Sequence, residues 1–128
     1  MKNRDIYELA LAFLAENGDR AENADYEERA GYLLSAFATE ILEVNRIFSE
    51  SVNDEAIRAV PLYMALDEAF PMHDRFAAAA GMYLAAMLVL SEDSELSDKF
   101  FSRYCDAMSS AVSEIPMVSG KTVDRYGL

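Results

Sequence analysis

The stretch that most constrains this chain is Pro71–Ser91, PMHDRFAAAAGMYLAAMLVLS, which has no charged residue after Arg75. Phe76, Ala80, Tyr83, Leu84, Met87 and Leu88 recur at spacings of three and four, the rhythm of one helix face. The opposite face is Ala77, Ala78, Ala85 and Ala86 with Gly81, small rather than polar. A helix that is apolar all round is buried on most of its sides, so the remaining segments are expected to wrap around this one. Proline at position 71 suits a first helical residue, where its missing N–H is no loss. The run Phe76–Leu90 is only 15 residues, short of the roughly 20 that cross a bilayer.

Three further helices are expected. Residues 3–16 place Ile6, Leu9, Ala10, Phe13 and Leu14 on one face, with Asn3 as a candidate cap and Asn17-Gly18 as the stop. A longer helix from about Ala24 to Phe48 carries the stripe Tyr26, Leu33, Leu34, Phe37, Ile41, Val44 and Phe48, with Asn23 or Asp25 as its cap. Arg29, Glu40, Glu43 and Arg46 ride on its wetter side. The last helix spans Ser94 to about Ser113, with Leu96, Phe100, Phe101, Tyr104, Cys105, Met108 and Val112 expected to face inward.

Between the second helix and the apolar one, residues 49–70 lose the helical rhythm. A short helical turn is expected around Asp54–Ala59. Val60, Leu62, Met64 and Leu66 then alternate with period two, which predicts an extended segment lying against the core. Pro61 argues against a central strand, so the segment reads as an ordered linker. The fold class is therefore an all-α, single-domain bundle of about four helices over residues 1–115. Pro116 and Gly120 set off an extended C-terminal arm, residues 116–128.

Charge narrows the function classes. There are 23 acidic residues against 11 Lys and Arg, a net charge of −12. The excess is spread over both halves of the chain, and no basic stripe exists to hold a phosphate backbone tightly. An anionic membrane surface should repel such a chain. A single cysteine, Cys105, builds no disulfide framework, and the start MKNRDIYELA lacks the apolar run of a signal peptide. These features predict a soluble, cytoplasmic protein.

The search for chemistry yields little. A di-iron bundle needs two Glu-x-x-His pairs, whereas the one histidine, His73, has Phe70 three positions before it. His73, Asp74, Asp67 and Glu68 have no ligand spacing, and exposed polar groups at a helix start explain them as well. Glu40 and Glu43 share a helix face, the ordinary arrangement of a solvated face. Cys105, with no histidine near it in sequence, reads as an inert inward-facing thiol. Five of the seven methionines lie in or beside packing segments, where core filling is the commoner use and a partner groove the rarer one. No catalytic residue, cofactor or metal ligand is assigned, and the chain is expected not to be an enzyme.

One ordered set of features is less generic. The alanine-rich segment with Tyr83 is followed by an acidic turn, SEDSE, then a helix with Phe100, Phe101 and Tyr104, then the closing Val123-Asp124-Arg125-Tyr126-Gly127. Over residues 60–127 this resembles small proteins of phage and prophage structural modules in Gram-positive bacteria, of the head–tail connector (adaptor) type. The resemblance implies a non-enzymatic, all-helical subunit that docks on the portal vertex as a ring and joins capsid to tail. Its implied partners are the portal or other phage structural proteins and further copies of itself. It would be found in the bacterial cytoplasm and then in the virion. Ring contacts are heterologous, one patch meeting a different patch on the next copy. The arm is the expected source of one patch, through Val118, Val123, Asp124, Tyr126 and Leu128, several of them apolar with no core position of their own. The alternative reading is a small acidic helical-bundle module for protein–protein interaction or regulation, with its partner groove beside the methionines.

Overall fold

Small side chains at 77–81 leave one helix thin enough to be surrounded. In the computed structural model, which describes residues 1–15 and 25–113, this is α3 (Ala77–Val89). Ala79, Ala80, Gly81, Tyr83, Leu84, Ala85, Ala86, Leu88 and Val89 are all buried. Three amphipathic helices enclose it: α1 (Asn3–Ala15), α2 (Tyr26–Ser51) and α4 (Ser94–Ser113). The chain is thus an all-α bundle, and no β-strand is found among the described residues. No helix among them is long and apolar enough to cross a membrane.

Each neighbour meets α3 differently. Gly81 lets α1 approach closely, its missing methyl group leaving room for Leu9 and Phe13. Phe13 then stacks on Phe100 of α4 at 6.3 Å, with the Arg103 guanidinium over both rings. Buried Ser97 on α4 donates its hydroxyl to the Ala86 carbonyl of α3 at 2.8 Å. From α2, Phe37 packs on Tyr83 at 5.7 Å, and Arg29 donates to the Leu88 carbonyl at 3.0 Å.

Several local expectations are corrected. Pro71 does not start the helix. His73 is extended (φ −61°, ψ 144°) and caps a 3-10 turn, Asp74–Phe76, by accepting from the Arg75 N–H at 3.1 Å. The helix begins late because the His73 N–H is taken by the Asn45 side-chain oxygen at 2.8 Å, which holds residues 71–73 against α2. Asn3 is no cap either. The Lys2 N–H is satisfied by Asp5 Oδ2 at 2.7 Å, which leaves the buried Asn3 amide to donate to the Ala65 carbonyl at 2.8 Å. Asp25 stands at the α2 N-cap position without capping, its carboxylate paired instead with Arg29 at 3.0 Å. Asn17, Gly18 and Asn23 lie outside the described residues.

The linker has no helical turn at Asp54–Ala59. Helix α2 instead runs on to Ser51 and stops where Asn53 takes a left-handed conformation (φ 59°), which asparagine tolerates. Beyond that point the chain is strapped to the helices by hydrogen bonds. Ser35 donates to the Pro61 carbonyl, and the Met64 N–H reaches the Gly31 carbonyl at 3.1 Å. The N–H groups of Asn3 and Arg4 reach the Glu68 and Leu66 carbonyls, and Phe70 N–H reaches the Met1 carbonyl. Met64, Leu66, Phe70 and Met72 are thereby buried, while Leu62 faces outward and Val60 is half-buried, so the alternation holds only from Met64 onward.

Three buried polar residues, Asn3, Ser35 and Asn45, are thus spent on holding this linker. Removing one partner of a buried hydrogen bond leaves the other unsatisfied at a cost of about 1–3 kcal/mol. Asn45→Ala is expected to lower unfolding stability by about 1–2 kcal/mol, read from a urea midpoint at unchanged m-value. A neutral result would mean that the His73 N–H does not depend on this side chain.

Candidate functional site

The described surface offers three features with functional content. The first is buried phenol chemistry between α2, α3 and α4. Tyr104 donates its hydroxyl to Glu40 Oε1 at 3.0 Å, and its ring meets Tyr83 at 5.2 Å and Phe37 at 6.1 Å. Burial, then the negative charge of Glu40 and the hydrogen bond to it, push the Tyr104 phenol well above the usual range. Burial followed by the Glu40 charge raises Tyr83 as well. Both shifts favour the neutral hydroxyl, the form that donates a hydrogen bond rather than one that accepts a proton.

The sign for stability follows from proton linkage. Above pH ~10 an unfolded tyrosine loses its proton while the folded Tyr104 keeps it, so the folded state binds more protons and stability falls as pH rises. The urea midpoint is expected to decline progressively above pH ~10. Tyr104→Phe should flatten that decline, and an unchanged slope in the variant would place the alkaline sensitivity elsewhere.

The second feature is a cleft of about 970 Å³ between the C-terminal half of α2 and residues 54–58. Leu42, Ala56 and Ile57 supply its apolar lining, and Glu40, Glu43, Glu50, Asp54 and Glu55 outnumber Arg46 and Arg58 among its charged residues. Arg46 is paired with Glu50 at 2.9 Å and Glu43 at 3.5 Å, so the lining as a whole stays acidic. A recess of about 330 Å³ shares Asp54 and Glu55 with it and is also lined by Pro71, Met72 and His73.

The third feature is an exposed apolar patch. Tyr32 of α2 and Tyr63 of the linker meet edge to face at 4.8 Å, and Leu62 immediately precedes Tyr63 in sequence. Leu62 is 84% exposed, Tyr32 55% and Tyr63 42%. The patch is positioned by backbone: Gly31 lets the linker lie directly on α2, and the Met64–Gly31 hydrogen bond fixes it there.

The residues weighed from sequence are distributed differently. Val118, Val123, Asp124, Tyr126 and Leu128 lie outside the described residues, as do Pro116 and Gly120. The possible metal group does not assemble, since Asp67 pairs with Arg4 at 3.3 Å while His73 faces Asp54 at 3.6 Å. Among the described residues no three His, Cys, Asp or Glu side chains converge as metal ligands. Glu40 and Glu43 turn to separate partners, Tyr104 and Arg46. Cys105 is exposed rather than inward-facing, and Phe101 is 39% exposed. Helix α4 is rotated so that Leu96, Phe100, Tyr104 and Val112 form its buried face, with Ser97 and Ala111 beside them.

Tyr32, Leu62 and Tyr63 were not separable from core residues by sequence. Leu62 shares the parity of buried Met64 and Leu66, and only the bonds of Pro61 and Met64 to α2 turn it outward. The one available signal was Tyr32, which stands off the apolar stripe of its helix. Comparison with protein-family models, curated proteins and solved structures gives no match for this chain.

Proposed function

We propose that this protein works by protein–protein contact, as a structural subunit of the phage or prophage head–tail connector kind, docking on a portal vertex and joining capsid to tail. The observation that supports contact rather than catalysis is the patch of Tyr32, Leu62 and Tyr63. Apolar side chains gathered on the surface of a folded domain offer another protein a place to sit. Tyrosine supplies large contact area at low entropic cost, and a patch fixed by backbone hydrogen bonds loses little further freedom on docking. The connector part of the reading is carried by the residue resemblance over 60–127. The net charge of −12 is compatible with it, because acidic walls let DNA pass without holding its phosphates.

The alternative, a regulatory module with a methionine-lined groove, has less support. Met64 and Met72 are buried, and Met82, Met87 and Met108 pack partly buried against the core.

The test is co-purification with the portal protein encoded in the same genome, followed by electron microscopy of the complex. A ring stacked on the portal is the expected result. Leu62→Asp should fold normally, since the side chain is already in water, yet weaken capture by about tenfold or more, the loss expected of an interface anchor. Failure of the wild-type chain to bind a folded portal across a range of salt would remove the connector reading and leave the patch in search of a different partner.

A further inference from the structure

His73 is the chain's only histidine, and it stands where the linker gives way to the turn that leads into α3. Its two ring nitrogens face different partners. Nδ1 accepts from the Arg75 N–H at 3.1 Å, while Nε2 faces Asp54 Oδ2 at 3.6 Å. An imidazole nitrogen that accepts a hydrogen bond carries no proton, so the neutral ring holds its proton on Nε2, toward the carboxylate. The ring also meets Phe48 edge to face at 4.5 Å, and the His73 backbone N–H is held by Asn45. The residue is only half-buried, so water can deliver a proton to it.

A second proton has one place to go, Nδ1. There it turns the acceptor of the Arg75 N–H into a donor, and two N–H groups then point at each other. The cap of the 3-10 turn Asp74–Phe76 is therefore incompatible with the imidazolium. The same proton gives the ring a positive charge facing Asp54, and the attraction between the two draws the ring that way. Among the described residues the other charged groups at this point are Glu55 and Asp74, which line the same recess, and Arg75, whose guanidinium lies over the Phe48 ring. Helix α2 presents Asn45, Phe48 and Ser49 here, none of which titrates. From α4 the Ala111 carbonyl accepts from Arg75 Nε at 3.3 Å. One proton thus removes a hydrogen bond on one side of the ring and strengthens an attraction on the other.

We infer that His73 is a proton-operated latch at the entry to α3. Neutral, it caps the turn through Nδ1; protonated, it releases the Arg75 N–H and swings onto Asp54. Phe76, fully buried and next in the chain, holds the helix behind it, so the change stays within residues 71–75 and the linker at Asp54. The recess that His73 shares with Asp54 and Glu55 is what changes shape. The latch needs no docking partner, so it stands or falls separately from the connector reading.

Nitrogen-15 NMR of the ring in the full chain, from about pH 8 to about pH 5, tests it. With a single histidine the ring signals are unambiguous. At the alkaline end the expected tautomer is Nε2–H with a bare Nδ1. On acidification the amide signals of Arg75 and Phe76 should move together with those of the ring. Protection of the Arg75 amide from hydrogen exchange should fall about fivefold, the factor that one ordinary hydrogen bond supplies. His73→Asn keeps a capping acceptor that has no proton to gain, so those amides should stop responding to pH over that range. Asp54→Asn, at an exposed position, should move the wild-type ring transition to lower pH, because the imidazolium loses its partner. An Nδ1–H tautomer at the alkaline end would overturn the inference, since the cap would not exist. Ring protonation that left the Arg75 and Phe76 amides unmoved would overturn it as well, and so would a transition unchanged in Asp54→Asn.

Discussion

Phe100→Ala is expected to cost about 3–5 kcal/mol of unfolding stability, while Phe101→Ala, one residue away, should cost less than ~1. Phe100 is fully buried, stacked on Phe13 and covered by the Arg103 guanidinium, so its removal empties space between α1, α3 and α4. Surrounding atoms collapse only partly into such a cavity, which adds to the lost transfer free energy. Phe101 is 39% exposed and meets Tyr104 at 5.5 Å on the rim of the aromatic cluster. For a domain of 128 residues the Phe100 change should lower the thermal midpoint by roughly 10 °C or more. Paired thermal and urea unfolding curves measure both, and equal losses would mean that α4 is rotated away from the face described above.

The second large effect is expected at Gly31, where helix propensity and tertiary packing oppose each other. In a helix interior, glycine to alanine is worth up to about 1 kcal/mol in favour of alanine. At Gly31, however, a Cβ would lie 2.3 Å from Tyr63 Cε2, 2.6 Å from Tyr63 Cζ and 2.8 Å from the Met64 carbonyl oxygen. The half-exposed tyrosine ring can swing away, but the carbonyl is backbone and moves only with the linker. That movement breaks the Met64–Gly31 hydrogen bond and lifts the buried Met64 and Leu66. Overpacking and the lost bond together exceed the propensity gain, and Gly31→Ala should destabilise by about 2–3 kcal/mol.

Gly81→Ala is the built-in comparison. The atoms that its Cβ would meet are side-chain atoms of Leu9 and Phe13, at 2.9–3.2 Å, and both residues are only half-buried. They can yield, and the change should stay within ~1 kcal/mol of neutral. Equilibrium unfolding of the two variants side by side checks the contrast. If Gly31→Ala matched Gly81→Ala, the linker would not be seated on α2. Because Tyr63 and Leu62 ride on that seat, Gly31→Ala should also disturb the exposed patch.

Much of the fold was legible in the chain because helix periodicity is a local property. The stripe of α2, the all-round apolar character of α3 and the spacing of Leu96, Phe100, Tyr104 and Val112 each state which side of a helix must leave water. What periodicity left open was the edge of each stripe. Phe101 and Cys105 continue the α4 face by spacing, and only the seat of Phe100 against Phe13 and of Tyr104 against Tyr83 and Glu40 rotates them outward.

The linker shows the other limit. Its alternation predicted an extended segment against the core; the chain does lie on the core, but it bends at Leu62–Tyr63 and turns over Ala65–Glu68, and the same alternation placed Leu62 inside. Which linker residues go inward is decided by where Gly31, Ser35, Asn45 and Asn3 capture its backbone. Those four residues lie up to 62 positions from the groups they hold, and nothing in their own neighbourhoods identifies them as anchors. The three surface features are legible only once those distant pairings are made. The acidic cleft needs α2 beside residues 54–58, the patch needs Tyr32 beside Tyr63, and the phenol cluster needs Glu40 beside Tyr104. By itself, then, the sequence determined an all-α bundle around one apolar helix, because burying a face depends on residues three and four apart. The tertiary structure alone decided the linker's path, the helix rotations at their margins and every candidate contact surface, because hydrogen bonds and close approaches between distant residues have no period to read.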